Sequence, residues 1–222
     1  MRTLEQCRLY GILDAGYCAP ERMGAMLERM LAGGVDVVQL RAKGMPVDRI
    51  AELARELHPL SKAAGIPFII NDHPSLAGLT EVEGIHVGVE DMSVGEARRL
   101  AGRTCWIGKS SHSAAQAAEG WEQGADYLGF GPLFPTPTKP DYGAIGMAGI
   151  REVCRRSPVP VFCIGGIKLE NLPLVLAAGA QRVVIVSGIL MAPDPAEYIQ
   201  NCLDFLDRGP REQFHHGSGP GG

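Results

Sequence analysis

A chain of 222 residues, 45% of them hydrophobic, can bury a sizeable core and has an ordinary length for one α/β barrel. A net charge of −4 without any basic run excludes a nucleic-acid-binding surface, and the chain has neither a signal-like start nor a run of membrane-spanning length. Its cysteines, at Cys7, Cys18, Cys105, Cys154, Cys163 and Cys202, lack CxxC or other metal-like spacing, which reads as a reduced, cytoplasmic protein.

Strand-like runs alternate with helical ones along the chain. The first strand is expected over residues 9–14, and the second, over 36–41, ends in Gln39 and Arg41 with Lys43 just beyond. Apolar residues then recur at helical spacing over 50–57. A third strand over 67–72 ends in Asn71 and Asp72, and a fourth over 84–88 is followed by Asp91. The fifth, over 105–108, leads into Ser110, Ser111 and His112, and a helix over 114–122 stops before Gly124. The sixth, over 127–130, runs into the segment Gly131-Pro132-Leu133-Phe134-Pro135-Thr136-Pro137-Thr138-Lys139. The seventh, over 159–164, ends in Gly165 and Gly166, and the eighth, over 182–187, in Ser187 and Gly188.

Most of these strands are short and apolar on both faces, as parallel strands covered by helices must be. Eight strand–helix units point to an α/β fold of the closed (β/α)₈ TIM-barrel type, and no GxGxxG follows the first strand to favour an open sheet. The barrel is expected to form one domain over residues 1–208. The Gly-, Pro- and His-rich tail over 209–222 is expected to be disordered.

Parallel barrels carry their chemistry at the C-terminal ends of the strands. Taken singly, Arg41 or Lys43 would be a solvated charge, Asp72 a helix N-cap and Gly165-Gly166 a turn. Their joint placement on one rim argues otherwise. Arg41, Lys43 and Lys139 are more cations than one phosphomonoester needs and suit a diphosphate. Asp72 and Asp91, from adjacent strands, suit Mg²⁺, which binds through a few carboxylates, waters and substrate phosphates. Gly166 and the Val186-Ser187 turn follow strands seven and eight, where barrels often bind a phosphate through backbone N–H groups. The prolines after Gly131 exclude helix and central strand and restrict the backbone that carries Thr136, Thr138 and Lys139. That segment is expected to close over a ligand and shield it from water.

The motifs Gln39-Leu40-Arg41-Ala42-Lys43, Ile70-Asn71-Asp72, Gly84-Ile85-His86-Val87-Gly88-Val89-Glu90-Asp91, Gly108-Lys109-Ser110-Ser111-His112, the Gly131–Lys139 run and Ile164-Gly165-Gly166-Ile167 resemble those of thiamine phosphate synthases. The match runs in order from about residue 8 to residue 207. The resemblance implies a (β/α)₈ barrel that joins 4-amino-5-hydroxymethyl-2-methylpyrimidine diphosphate to a thiazole phosphate by a dissociative substitution. It implies that Gln39, Arg41, Lys43, Asn71, Ser110 and Lys139 hold the pyrimidine diphosphate, with Arg41, Lys43, Ser110 and Lys139 in the catalytic set. Asp72 and Asp91 would ligate Mg²⁺, and Thr136, Thr138, Gly166, Val186 and Ser187 would hold the thiazole phosphate. The implied partners are small-molecule substrates, with neither nucleic acid nor membrane, and a homo-oligomer is left open. Two positions depart from the family pattern: His73 stands where Arg is usual, and Ala42 where an acidic residue is usual. Two other readings stay open. One is a thiazole tautomerase-like isomerase, which would use a His where this chain has Pro132; the other is a non-catalytic paralogue that binds thiamine precursors.

Overall fold

The computed structural model describes residues 1–136 and 143–208. Its strands are β1 (Leu9–Asp14), β2 (Val37–Arg41), β3 (Phe68–Asn71), β4 (Gly84–Val87), β5 (Trp106–Ser111), β6 (Tyr127–Phe130), β7 (Val161–Cys163) and β8 (Val183–Ile185). All pair in parallel in chain order, and β1 closes on β8 with Leu9 beside Val183. Between them run α1 (Met23–Gly33), α2 (Val47–Ala63), α3 (Ala77–Thr80), α4 (Val94–Ala101), α5 (Ala114–Glu122), α6 (Ile150–Arg156), α7 (Leu172–Ala177), α8 (Ser187–Leu190) and α9 (Pro195–Arg208). This is the expected TIM barrel. Two C-terminal strand ends differ from the sequence expectation by more than one residue. β5 continues to Ser111, because Ser110 and Ser111 still pair with Gly129 and Phe130 of β6. β8 stops at Ile185, because Ser187 already opens a helix.

The side-chain period of two sorts each strand between two cores. Leu9, Leu13, Val38, Leu40, Phe68, Ile70, Ile85, Leu128 and Val183 pack outward against the helices. Tyr10, Ile12, Val37, Ile69, Tyr127, Phe162 and Val184 point inward and fill the barrel. Phe162 meets Tyr10 and Tyr127 edge-on, with ring centroids 5.4 and 5.7 Å away. This edge-to-face geometry sets a positive ring edge on a negative ring face. Truncating Phe162 to Ala would open a cavity there and cost about 3–5 kcal/mol.

The N-terminal end of the barrel is closed by carboxylates that stand just before three of the four even-numbered strands. Asp36, ahead of β2, accepts from the backbone N–H groups of Arg8 at 2.8 Å and Leu9 at 2.9 Å, and pairs with Arg2. Glu83, ahead of β4, accepts from Phe68 N–H at 2.8 Å and meets His58 at 3.2 Å. Asp126, ahead of β6, accepts from Ile107 N–H and from Arg98, both at 2.6 Å. Each carboxylate thereby satisfies an amide of the preceding odd-numbered strand that no helix or ladder partner would reach. All six cysteines are free thiols. Among the described residues no helix is long and apolar enough to cross a membrane.

Candidate active site

At the C-terminal end of the strands lies a cavity of about 910 Å³, counted to its open mouth. Its wall includes eight of the residues singled out from sequence: Gln39, Arg41, Asn71, Ser110, Thr136, Gly166, Val186 and Ser187. Ile12, Phe162, Ile164 and Val184 supply an apolar floor, so the site can bury an aromatic ring and exclude water around it. Lys43, Asp72 and Asp91 do not line the cavity; they gather on the adjoining rim, with Lys43 Nζ 3.5 Å from Asp72. Thr138 and Lys139 lie outside the described residues.

Arg41 leaves the end of β2 and is largely buried, which requires a counter-charge. Asp14, at the end of β1 and beside Arg41 in register, supplies it: Arg41 Nη1 donates to Asp14 Oδ2 at 2.5 Å. Gly16 N–H also donates to Asp14, at 2.8 Å. The remaining guanidinium donors are thus presented to the cavity from a fixed position. Asp14 was absent from the sequence list, although it ends its strand on the same rim as the residues that were on it.

Asp72 has φ of +65°, a left-handed conformation that Asp tolerates better than most side chains. Its N–H donates to His86 O at 2.8 Å, which extends the β3–β4 pairing by one residue and turns the side chain to Asp91. The two carboxyl groups are within hydrogen-bonding distance. Burial, then the charge of Asp91, raises the Asp72 pKa above its ordinary value. Burial also pushes Asp91 up, but hydrogen bonds from Asp72 and from Gly88 N–H, with Lys43 and Lys109 nearby, hold it below its ordinary value. Two facing carboxylates with unequal proton affinity form an oxygen-only donor pair. Such a pair fits a hard divalent cation that keeps waters and takes further oxygens from a substrate phosphate.

The loop that carries Asp91 is shaped by a residue to which the sequence reading gave no role. Lys109 Nζ donates to Gly88 O at 2.7 Å, Met92 O at 3.1 Å and Val89 O at 3.4 Å. Gly88 N–H in turn donates to Asp91 Oδ2 at 2.7 Å, and a methyl group at Gly88 would stand 2.4 Å from that oxygen. Ser110 is not a helix cap. Ser113 caps α5, accepting from Gln116 N–H at 3.1 Å, whereas Ser110 Oγ meets His86 Nε2 at 2.9 Å.

On the opposite wall Gly165 and Gly166 have φ of +99° and +64°. A Cβ at Gly165 would fall 2.4 Å from Pro132 Cα, and one at Gly166 would fall 2.7 Å from Phe134 Cβ. The paired glycines therefore admit the proline-rich segment. Leu133 N–H donates to Ile164 O at 2.9 Å and Phe134 N–H to Gly165 O at 3.0 Å, with Leu133 buried. The first half of the segment expected to close over a ligand is thus fastened to the end of β7 as wall; residues 137–142 lie outside the described ones. Asn171 Nδ2 donates to Gly166 O at 2.9 Å while Lys168 N–H donates to Asn171 Oδ1 at 2.8 Å, and this fixes the Gly166 peptide. Beside it, Val186 and Ser187 turn from β8 into α8.

The profile of the thiamine monophosphate synthase family matches residues 9–189, spanning all the strands and the whole rim just described. The chain belongs to that family. A thiamine-phosphate synthase of Caldivirga maquilingensis is 40% identical over 90% of this chain and 96% of its own length. One from Thermus thermophilus is 46% identical over 76% of this chain and 81% of its own. A Synechococcus enzyme of the same name is 44% identical over 92% of this chain, which spans 58% of that longer relative. The solved thiamine phosphate pyrophosphorylase from Pyrococcus furiosus superposes with a TM-score of 0.82 at 29% identity, covering 90% of this chain and 96% of that one. A 3-hexulose-6-phosphate synthase, at 19% identity and a TM-score of 0.66, shares the fold alone. As a thiamine-phosphate synthase, the chain is a transferase acting on small molecules.

Proposed function

We propose that the protein condenses 4-amino-5-hydroxymethyl-2-methylpyrimidine diphosphate with a thiazole phosphate to give thiamine phosphate and diphosphate, using Mg²⁺ held by Asp72 and Asp91. The observation that carries this reading is the facing carboxylate pair set beside a cavity that Arg41 lines. A bound Mg²⁺ would supply positive charge to the departing diphosphate. Arg41, steadied by Asp14, binds diphosphate oxygens, and Lys43 and Lys139 add positive charge. Gln39, Asn71 and Ser110 hold the pyrimidine half. Thr136, Thr138, Gly166, Val186 and Ser187 hold the thiazole phosphate. That arrangement sets the acceptor nitrogen against the reacting carbon. The C–O bond to diphosphate breaks ahead of C–N bond formation, so the protein supplies no nucleophile. It neutralises the leaving charge and keeps water from the cationic carbon with its apolar floor.

The isomerase reading needs a proton-transferring group after β6, and Pro132 has none. Free cysteines throughout support a reducing compartment, and we assign the protein to the cytoplasm. The test is to incubate the purified protein with both substrates and Mg²⁺ and to look for thiamine phosphate by mass. Formation that stops on chelation and resumes on adding Mg²⁺ is expected. No product from any combination of pyrimidine diphosphate, thiazole phosphate and divalent metal would overturn the assignment.

A further inference from the structure

Beneath the cavity, five polar side chains from five strands are hydrogen-bonded in a line through the barrel. Gln39 Nε2 donates to Tyr10 OH at 2.8 Å, and Tyr10 OH meets Tyr127 OH at 3.1 Å. Tyr127 OH meets His86 Nδ1 at 3.2 Å, and His86 Nε2 meets Ser110 Oγ at 2.9 Å. All five residues line the cavity, and only the two ends, Gln39 and Ser110, are given a substrate role above.

The donors and acceptors of this line are not independent. An amide nitrogen only donates, so Tyr10 OH accepts from Gln39 and gives its single hydrogen to Tyr127. Tyr127 then gives its own to His86 Nδ1, which makes His86 the neutral Nε2–H form and the donor to Ser110 Oγ. The Ser110 hydrogen is left for the cavity, and at the other end Gln39 keeps its carbonyl oxygen, an acceptor, for the cavity. Burial raises the pKa of both phenols, so each stays a donor. Reversing one member would either set two acceptors against each other or leave a buried hydroxyl hydrogen without a partner, and both are costly. The line therefore has one polarity throughout or the opposite polarity throughout.

We propose that Tyr10, Tyr127 and His86 are positioning residues that couple an acceptor at Gln39 to a donor at Ser110, and so select a 4-aminopyrimidine over its 4-oxo analogue. This rests on the synthase reading. An exocyclic amino group donates to Gln39, whereas a 4-oxo group brings its own lone pairs there. The Gln39 amide can turn to meet that oxygen only if all four links reverse with it. A site built to pair a polar group discriminates far more strongly than one that merely encloses it.

Two measurements on the whole protein test this. Nitrogen-15 NMR of histidine-labelled protein without substrate is expected to show His86 protonated on Nε2 and bare on Nδ1, a form weakened in Tyr127→Phe. A His86 protonated on Nδ1, or a pattern unmoved by Tyr127→Phe, overturns the ordering. The second measurement is the ratio of kcat/KM for the 4-amino and 4-oxo pyrimidine diphosphates. We expect the native enzyme to favour the amine on the order of 10²-fold or more, and Tyr127→Phe, which cuts the line but keeps the ring, to lower that preference about tenfold. His86→Gln, whose amide can both accept and donate, is expected to restore more of the preference than His86→Leu. A preference that survives unchanged in Tyr127→Phe overturns the coupling. The tautomer is read without substrate, so failure of the ordering is distinct from failure of the synthase reading, which the product assay decides alone.

Discussion

At the N-terminal end of the barrel every carboxylate in front of an even strand is surrounded by donors: two backbone amides and Arg2 for Asp36, an amide and Arg98 for Asp126. At the C-terminal end Asp72 and Asp91 face each other, with Lys43 paired to Asp72 at 3.5 Å. The residue type is the same and its surroundings are opposite. The first arrangement is complete and holds strands in place. The second concentrates negative charge that a cation can relieve, so it is stable only at some cost. Asp14 shows that a carboxylate on the chemical rim can be satisfied too, by Arg41 and Gly16 N–H, so it is the opposed pair that sets that end apart.

The sharpest way to break this contrast is to exchange what each end loses. Asp36→Ala strands two buried amides and an arginine, and is expected to lower stability by about 3–5 kcal/mol in denaturant titration. The activity of the molecules that remain folded should be near native. A loss under 1 kcal/mol would mean that water replaces the carboxylate and that the N-terminal end is not closed as described. Asp72→Ala or Asp91→Ala should do the reverse. Turnover is expected to fall on the order of 10²-fold or more at limiting Mg²⁺ in both, while the unfolding midpoint holds or rises in Asp72→Ala, where a like-charge contact is gone, and falls slightly in Asp91→Ala, which also loses the bond from Gly88 N–H. Near-native turnover in either variant would remove the metal assignment.

The smallest effect lies between the two ends. Tyr10 and Tyr127 have pKa values raised by burial above the ordinary 10.0. The unfolded chain loses those protons near pH 10 while the folded chain keeps them, so the folded state binds more protons and stability falls as pH rises past that point. Below it the two phenols contribute no pH dependence. Tyr127→Phe should therefore flatten the decline of the unfolding midpoint between about pH 10 and 11. An unchanged slope would mean that the phenol is reached by solvent.

The strands were legible in the sequence because each is a short apolar run bounded by Gly, Pro or polar residues. Reading only their C-terminal ends recovered eight residues of the cavity wall, from Gln39 to Ser187, together with the Lys43, Asp72 and Asp91 cluster. The residues that hold these in place were not legible. Lys109 shapes the Asp91 loop by binding three carbonyls, and Asn171 fixes Gly166 by donating to its carbonyl five residues back. Tyr10, Tyr127 and His86 meet across the barrel from positions 41 to 117 residues apart. Such contacts leave no local period, because they depend on which strands the closed sheet brings opposite one another. Asp14 is the exception: it ends its strand in plain view, and the same rule of strand ends would have found it. The proline-rich segment was legible only in part, for a related reason. Its composition signals restricted backbone, but only the glycines at Gly165 and Gly166 reveal that its first residues are packed down.

The carboxylates of the N-terminal end also divide the chain into pieces. Asp36 joins β1 to β2, Glu83 joins β3 to β4, and Asp126 joins β5 to β6. Among the described residues no link of this kind bridges β2 to β3 or β4 to β5. A backbone cut within α2, or within α4, leaves every carboxylate in the same fragment as the amide it satisfies. A cut within α1, between β1 and Asp36, separates the two. The first six strands are in this sense assembled as two-strand modules, and co-expressed fragments split between modules should reassociate more readily than fragments split inside one.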